Sequence, residues 1–155
     1  MIYAERTKER TFLYIFMFFT TWNFLLVLFH KYTHNYVNLI YLSLMTVTVG
    51  MYFSFINPRK FVYYLDNEKY TFTGIEKFIL IDLFLHIAVL GYVLAKYCKF
   101  YNKGTLQPFV NSVLLLGLYL IVIPFQKTYG VSFEEILPVG ICVTLVYIAF
   151  FLYVG

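Results

Sequence analysis

The sequence predicts an all-α membrane protein, a polytopic transmembrane helical bundle of about five spans that forms a single domain over residues 1–155. Hydrophobic residues make up 61% of the chain and charged residues only 13%, whereas a soluble domain carries about 25% charged residues. The apolar residues come in runs of about twenty, long enough at ~1.5 Å per residue to cross ~30 Å of hydrocarbon. Because a backbone in hydrocarbon must satisfy its own hydrogen bonds, and the alternating polarity of a barrel strand is absent, these runs are predicted to be helices.

The first two spans are predicted at residues 11–30 and 35–57. The first follows the charged segment Glu5–Arg10, and no small-residue cleavage site comes after it. We therefore expect it to be a retained span and not a cleaved signal peptide. The second ends before Pro58, because proline disfavours the helical conformation in the residue that precedes it.

Capping signals set the starts of the later helices. The remaining three spans are predicted at residues 74–97, 107–126 and 133–154. Thr73–Glu76 reads as a capping box, in which the Thr hydroxyl and the Glu carboxylate each accept a hydrogen bond from an amide at the helix start. Pro108 suits the first turn of the fourth helix. Ser132–Glu135 is a second capping box before the fifth helix.

Basic residues orient the predicted spans. Four of the twelve lysines and arginines flank the turns after the first and third spans, namely Lys31, Lys96, Lys99 and Lys103. The other eight are on the side of the N-terminus: Arg6, Lys8, Arg10, Arg59, Lys60, Lys69, Lys77 and Lys127. Because Lys and Arg concentrate in cytoplasmic segments, the N-terminus is predicted to be cytoplasmic and the C-terminus to lie on the outer side.

Polar residues near the centres of the spans are the first candidates for function, since polar groups in hydrocarbon are costly. Thr20, Thr21 and Asn23 lie near the centre of the first span, and His86 lies at the centre of the third. Asp82 precedes His86 by one helical turn, so the two share a face. The carboxylate is expected to fix the imidazole tautomer and leave the other ring nitrogen as a base. Such a base is what a threonine hydroxyl needs to become a nucleophile.

Other residue types point to membrane structure and not to a further site. The basic residues flank helices, so the predicted partner is the lipid bilayer and no nucleic-acid partner is expected. His30 and His34 have the spacing of a helical metal site, but no third ligand accompanies them, and no metal site is predicted. The sixteen tyrosines are expected in interfacial belts and in core packing.

The order of these features resembles the androgen-induced-gene-product family of multi-pass threonine hydrolases. Phe19-Thr20-Thr21-Trp22-Asn23 is similar to the segment that carries the family's nucleophilic Thr, and His86 follows after one intervening helix, as in the family. Tyr129–Glu135 resembles the stretch before the family's last helix. Family members are almost wholly transmembrane and cleave fatty-acid esters of hydroxy fatty acids. They also have one more span, which this chain is expected to lack before its Thr helix.

The predicted function is an intramembrane lipid-ester hydrolase that needs no cofactor. Thr20 or Thr21 attacks the ester carbonyl, and His86 acts as general base and then as acid. Asp82 orients His86, and Asn23 helps to stabilise the oxyanion. Two alternatives stay open. A proton-coupled transporter or channel needs Asp82 and His86 but neither threonine, and a non-catalytic membrane scaffold needs these polar groups for stability alone.

Overall fold

The computed structural model describes residues 19–56, 72–101, 106–123 and 132–154, and every regular element within them is a helix. The helices are α1 (Phe19–Leu28), α2 (His30–Thr33), α3 (Leu39–Ile56), α4 (Phe72–Tyr101), α5 (Leu106–Val122) and α6 (Phe133–Val154). The all-α prediction is confirmed over this part of the chain. The first residues of the first predicted span (11–18), the charged loop after Pro58 and the predicted end of the fourth span at Gln126 lie outside it.

The connection between the first two long helices differs from the prediction. Helix α1 ends at Leu28, and the single turn of α2 follows it, so His30 lies beyond α1. Helix α3 begins at Leu39, later than the predicted start at Asn35. The reason is a turn in which the amides of Tyr36 and Val37 both bond to one carbonyl, that of Thr33, at 2.9 and 3.0 Å. We call residues 33–38 the connecting turn.

The two predicted capping boxes have different outcomes. Helix α4 is 30 residues long and begins at Phe72, so Thr73 lies in its first turn and does not precede it. The predicted start at residue 74 is two residues too late, a difference of the size by which definitions of helix ends commonly vary. At the start of α6 the Glu135 amide donates to the Ser132 hydroxyl at 3.4 Å, which is the first of the two hydrogen bonds of the predicted box.

Helix α3 is central and contacts α1, α4, α5 and α6. Its first turns are the most buried part of the described chain, with Leu39 and Leu42 fully buried and Tyr41 1% exposed. The Tyr41 ring meets Phe109 of α5 and Tyr147 of α6 edge-on, with centroids 5.0 and 5.3 Å apart. Aromatic pairs in this arrangement stabilise a core beyond their buried area. The core therefore lies at the end of the bundle where α3 begins.

Asn38 holds the start of α3 to two other helices. Its side chain is fully buried, and Oδ1 accepts a hydrogen bond from the Tyr41 amide at 3.0 Å, which is an N-cap. Nδ2 donates to the Tyr147 hydroxyl of α6 at 2.5 Å. Its own amide lies 2.7 Å from Ser112 Oγ and 3.1 Å from the Pro108 carbonyl, both in α5.

Tyr101 joins the same turn to α4. Its hydroxyl accepts a hydrogen bond from the Leu39 amide at 3.2 Å. It also lies 3.0 Å from the carbonyl oxygen of His34 and 2.8 Å from that of Val37. The side chain is 1% exposed, so these backbone groups have a buried partner in place of water.

Helices α1 and α4 run side by side in the same direction. Thr20 pairs with His86 and His30 pairs with Tyr97, at chain separations of 66 and 67 residues. Because His30 of α2 follows closely after α1, this nearly constant separation means that the chain through α1 and α2 runs parallel to α4 and in register with it. Groups that lie near one another on α1 therefore have counterparts at the same level of α4.

One described segment is long and apolar enough to cross a membrane. It covers Phe133–Phe150 in α6, with a mean hydropathy of 1.8, and only 17% of it is buried. Three shorter apolar helices accompany it: Phe19–Leu28, Leu39–Tyr52 and Leu106–Val122. By length and composition the described residues thus provide one candidate span, whereas the sequence predicts five.

Candidate functional site

Thr20 and His86 meet between α1 and α4. Thr20 Oγ1 lies 3.2 Å from His86 Nε2, and both side chains are half-buried. The parallel register of the two helices brings the residues to the same level although they are 66 positions apart. The sequence prediction of a nucleophile and a base requires a hydroxyl and an imidazole that lie this close together.

The direction of this hydrogen bond depends on the imidazole tautomer. With its proton on Nδ1, the neutral ring offers the Nε2 lone pair, and the Thr20 hydroxyl donates to it. In that state the ring is placed to take the hydroxyl proton as the oxygen attacks an electrophile. The arrangement has the two parts that a nucleophile–base pair requires.

The structure describes the side chain of Thr21 but not that of Asp82. The backbone of Asp82 lies in α4 one turn before His86, but its side chain lies outside the part of the chain that the structure describes. The Asp82–His86 hydrogen bond therefore stays a prediction. Thr21 follows Thr20 on α1 and is also half-buried. Successive residues of a helix point about 100° apart, so it is Thr20 whose direction matches His86.

Asn23 lies one turn beyond Thr20 and faces α3. It is 3% exposed, and Nδ2 donates to Ser43 Oγ at 3.2 Å. An amide nitrogen carries two N–H groups, and this bond occupies one of them. Asn23 therefore first ties α1 to α3, and a role toward an oxyanion rests on its second N–H.

A second polar cluster, which sequence reasoning missed, lies where α2 meets α4. His30 Nδ1 lies 2.5 Å from the Tyr97 hydroxyl, and Nε2 lies 3.0 Å from the Tyr92 hydroxyl. Lys96 Nζ is 3.4 Å from the same Nε2 and 3.2 Å from the Tyr92 hydroxyl. The signal in the sequence is the spacing of Tyr92 and Lys96, four apart on one helix face.

The residues around His30 determine the charge state of its imidazole. Desolvation lowers the pKa of His30 below its ordinary value of 6.5, and the positive charges of Lys96, Lys31 and His34 lower it further. Each of these causes disfavours the protonated ring. The imidazole of His30 is therefore mostly neutral at pH 7, and the fixed positive charge beside it is that of Lys96.

The spacing of His30 and His34 does not bring their ring nitrogens to one point. His34 Nδ1 faces the His30 carbonyl oxygen at 2.8 Å, and its ring stacks on Tyr97 with centroids 5.1 Å apart. Both nitrogens of His30 face tyrosine hydroxyls. Among the described residues, no three His, Cys, Asp or Glu side chains are grouped so that they could hold a metal ion.

No protein-family model, no curated protein and no solved structure matches the chain. The resemblance to the threonine hydrolases therefore rests on the order of Thr20 and His86 along the sequence. The candidate site itself rests on the geometry between α1 and α4.

Proposed function

We propose that the chain is an integral membrane protein that hydrolyses lipid esters, with Thr20 as the nucleophile and His86 as the general base. The observation that supports this proposal is the 3.2 Å distance between Thr20 Oγ1 and His86 Nε2. The order of the two residues along the chain agrees with the threonine-hydrolase resemblance. The substrate class follows from the apolar setting of the pair.

The surface of α6 supports a membrane location. On one side of this helix Ile136 and Val143 are buried against the bundle. On the other side Leu137, Ile141 and Leu145 are exposed. A helix that is apolar all round belongs in a protein core or in lipid, and nothing in the described part of the chain covers this outer face. Exposed apolar patches of this extent are uncommon on soluble monomers.

The five spans of the proposal are α1, α3, α4, α5 and α6, the last being the one that is long and apolar enough within the described residues. Helix α1 is antiparallel to α3, which Asn23 and Ser43 join, and parallel to α4. This alternation is what consecutive spans with short connections require. The excess of basic residues before the first, third and fifth spans then assigns the N-terminus to the cytoplasm.

Access to the Thr20–His86 pair favours an apolar substrate. Phe84, Leu85 and Ile87, which flank His86 on α4, are each about half exposed or more. In a membrane these side chains face acyl chains. A long-chain ester therefore reaches the pair sideways from the bilayer, without passing through water.

The reaction has two halves that share one base. In the first, Thr20 Oγ attacks the ester carbonyl carbon while its proton moves to His86 Nε2, and the carbonyl becomes an oxyanion. The second N–H of Asn23 is one turn away and is the proposed donor to that oxyanion. The bond to the alcohol oxygen then breaks, and His86 returns the proton to the leaving alcohol. An acyl group is left on Thr20.

Water completes the cycle. His86 takes a proton from a water molecule, whose oxygen attacks the acyl carbon, and the bond to Thr20 Oγ breaks as the proton returns to that oxygen. The fatty acid is released and no cofactor is consumed. Asp82, one turn before His86, is the proposed partner that holds the proton on Nδ1.

The test of this proposal is covalent labelling of the detergent-purified chain with a fluorophosphonate, which phosphonylates activated hydroxyls. We expect one label, mapped to Thr20 by peptide mass spectrometry, and its loss in Thr20→Ala and His86→Ala. Thr21→Ala is expected to keep the label. A folded wild-type chain that takes no label would rule out the hydrolase and direct attention to proton flux in liposomes. A label on Thr21 would overturn the choice of nucleophile.

A further inference from the structure

Lysines gather at the end of the bundle where α2 and the connecting turn meet the end of α4. The chain has no Asp or Glu between Glu9 and Asp66, nor between Asp82 and Glu134. These two stretches include the whole connecting turn, the end of α4 and the start of α5. The described lysines at that end are Lys31, Lys96 and Lys99, and Lys103 follows α4 in the sequence. The remaining eight basic residues are matched in number by the eight acidic ones.

The acidic residues at the start of α6 lie far from this end. Tyr147 of α6 contacts Asn38 beside the connecting turn, whereas Glu134 precedes Tyr147 by more than three helical turns. At ~1.5 Å per residue this is a distance of about 20 Å along the helix. Within the described residues no carboxylate neutralises the lysines at the turn, so this end of the molecule attracts anions.

His30, Tyr92 and Lys96 converge there on one point of the surface. His30 Nε2, the Tyr92 hydroxyl and Lys96 Nζ lie between 3.0 and 3.4 Å from one another. Each of the three can donate a hydrogen bond to an anionic oxygen, once His30 carries a proton on Nε2. Lys96 is exposed and Tyr92 is 46% exposed, so the point is open to a ligand from outside.

The surface that leads to this point is apolar. Leu85, Ala88, Tyr92 and Lys96 follow one another at steps of three and four along α4, which places them on one face. All four are exposed. The face therefore runs from aliphatic through aromatic to cationic over about 16 Å. That sequence of groups complements a lipid molecule, with an acyl chain beside Leu85 and Ala88 and a headgroup beside Lys96.

We propose that His30, Tyr92 and Lys96 form a binding site for the phosphate of an anionic phospholipid headgroup. The phosphate oxygens accept hydrogen bonds from Lys96 Nζ, the Tyr92 hydroxyl and His30 Nε2, while the acyl chain lies along Leu85 and Ala88. This site is about 15 Å from the Thr20–His86 pair along the parallel helices α1 and α4. It does not depend on the hydrolase proposal, because binding is measured without turnover.

The experiment is native mass spectrometry of the detergent-purified chain with phosphatidylglycerol, compared with phosphatidylcholine of the same acyl chains. We expect phosphatidylglycerol to bind at least tenfold more tightly. Lys96→Gln is expected to weaken phosphatidylglycerol binding by tenfold or more, and Tyr92→Phe, which removes one hydroxyl and keeps the ring, by a few fold. Equal affinity for the two lipids would overturn the proposal.

Lys99→Gln is the matched control. It removes the same charge from the same helix, but Lys99 is exposed and is not part of the cluster. We expect its affinity to stay within twofold of that of the wild-type chain. If Lys99→Gln and Lys96→Gln weaken phosphatidylglycerol binding equally, the lipid is attracted by the overall surface charge. That result would contradict a specific site at His30, Tyr92 and Lys96. Circular dichroism of each variant establishes that it is folded.

Competition with inorganic phosphate distinguishes a lipid headgroup from the free phosphate ion as the ligand of this site. The lipid is titrated again in the presence of millimolar phosphate. Retained binding of phosphatidylglycerol is the expected result, because the acyl chain contributes through the apolar face of α4. Complete displacement by phosphate alone would overturn the lipid assignment and make this a site for the free anion.

The affinity is also expected to depend on pH through His30. The groups that face His30 are Lys31 and His34 from its own segment and Tyr92, Lys96 and Tyr97 from α4. Desolvation and the positive charges of Lys96 and Lys31 lower the pKa of His30 in the empty site. A bound anion offsets those charges, so binding takes up a proton. We expect several-fold tighter binding at pH 6 than at pH 8. His30→Gln should abolish this dependence, and an unchanged dependence would contradict the role of His30.

Discussion

Replacing either Thr20 or His86 by alanine is expected to lower the rate of ester hydrolysis by roughly 10²–10⁴-fold. Each substitution removes one half of a pair whose reacting atoms are 3.2 Å apart. Groups that act as a unit are strongly non-additive, so the double variant should lose little more than either single variant. The measurement is kcat for a fluorogenic long-chain ester in detergent micelles.

Thr48→Ala is the matched control for these rates. It removes a half-buried threonine hydroxyl from the middle of α3, and its activity should stay within about twofold of wild type. Effects of Thr20→Ala and His86→Ala that multiply in the double variant would mean that the two residues act separately. That result would contradict a nucleophile–base pair even if both single variants were slow.

Asn38→Ala is expected to give the largest loss of stability of any single substitution at the connecting turn. It removes the N-cap of α3, which contributes about 1 kcal/mol, and leaves the Tyr147 hydroxyl without the donor that lies 2.5 Å away. Removing the donor from a buried hydrogen bond costs about 1–3 kcal/mol. The free energy of unfolding should fall by about 2–4 kcal/mol, seen as a Tm lower by roughly 5–10 °C.

Two comparisons make this prediction specific. Asn35→Ala removes an exposed amide from the same turn and should change the free energy of unfolding by less than about 0.5 kcal/mol. Tyr147→Phe removes the other partner of the buried bond. Since the two residues share one interaction, Asn38→Ala and Tyr147→Phe together should cost less than the sum of their separate effects. Strict additivity would mean that the bond contributes nothing.

The helices and the depth of Thr20 and His86 along them were within reach of the sequence for one physical reason, but the contact between α1 and α4 was not. Long apolar runs have few solutions in a membrane, so the positions of Thr20 and His86 within their runs already indicate their depth. The start of α3 was not predicted correctly, because the apolar pattern of the second run begins before Leu39. Asn38, a common N-cap residue directly before that helix, is the signal that locates the true start.

The hydrogen-bond partners of the tyrosine hydroxyls could not be predicted from the composition. The rings of Tyr41, Tyr101 and Tyr147 pack in the core as predicted, but their hydroxyls bond to Thr144, to the connecting turn and to Asn38. Which hydroxyl finds which partner depends on contacts between helices far apart in the chain. Periodicity within one helix carries no information on such contacts, and the same limit hid the cluster around His30.

The partners of the connecting turn determine when its hydrogen bonds can form during synthesis of the chain. Its hydrogen bonds reach residues 64, 74 and 109 positions later in the chain, namely Tyr101, Ser112 and Tyr147. At a synthesis rate of ~5–20 residues per second, the last of these emerges roughly 5–20 seconds after Asn38. Until then the amide and carboxamide of Asn38 lack their final partners. The connecting turn is therefore synthesised early but receives its last hydrogen bonds late. A ribosome-bound chain therefore lacks the Tyr147 partner of the Asn38 carboxamide for as long as α6 is missing.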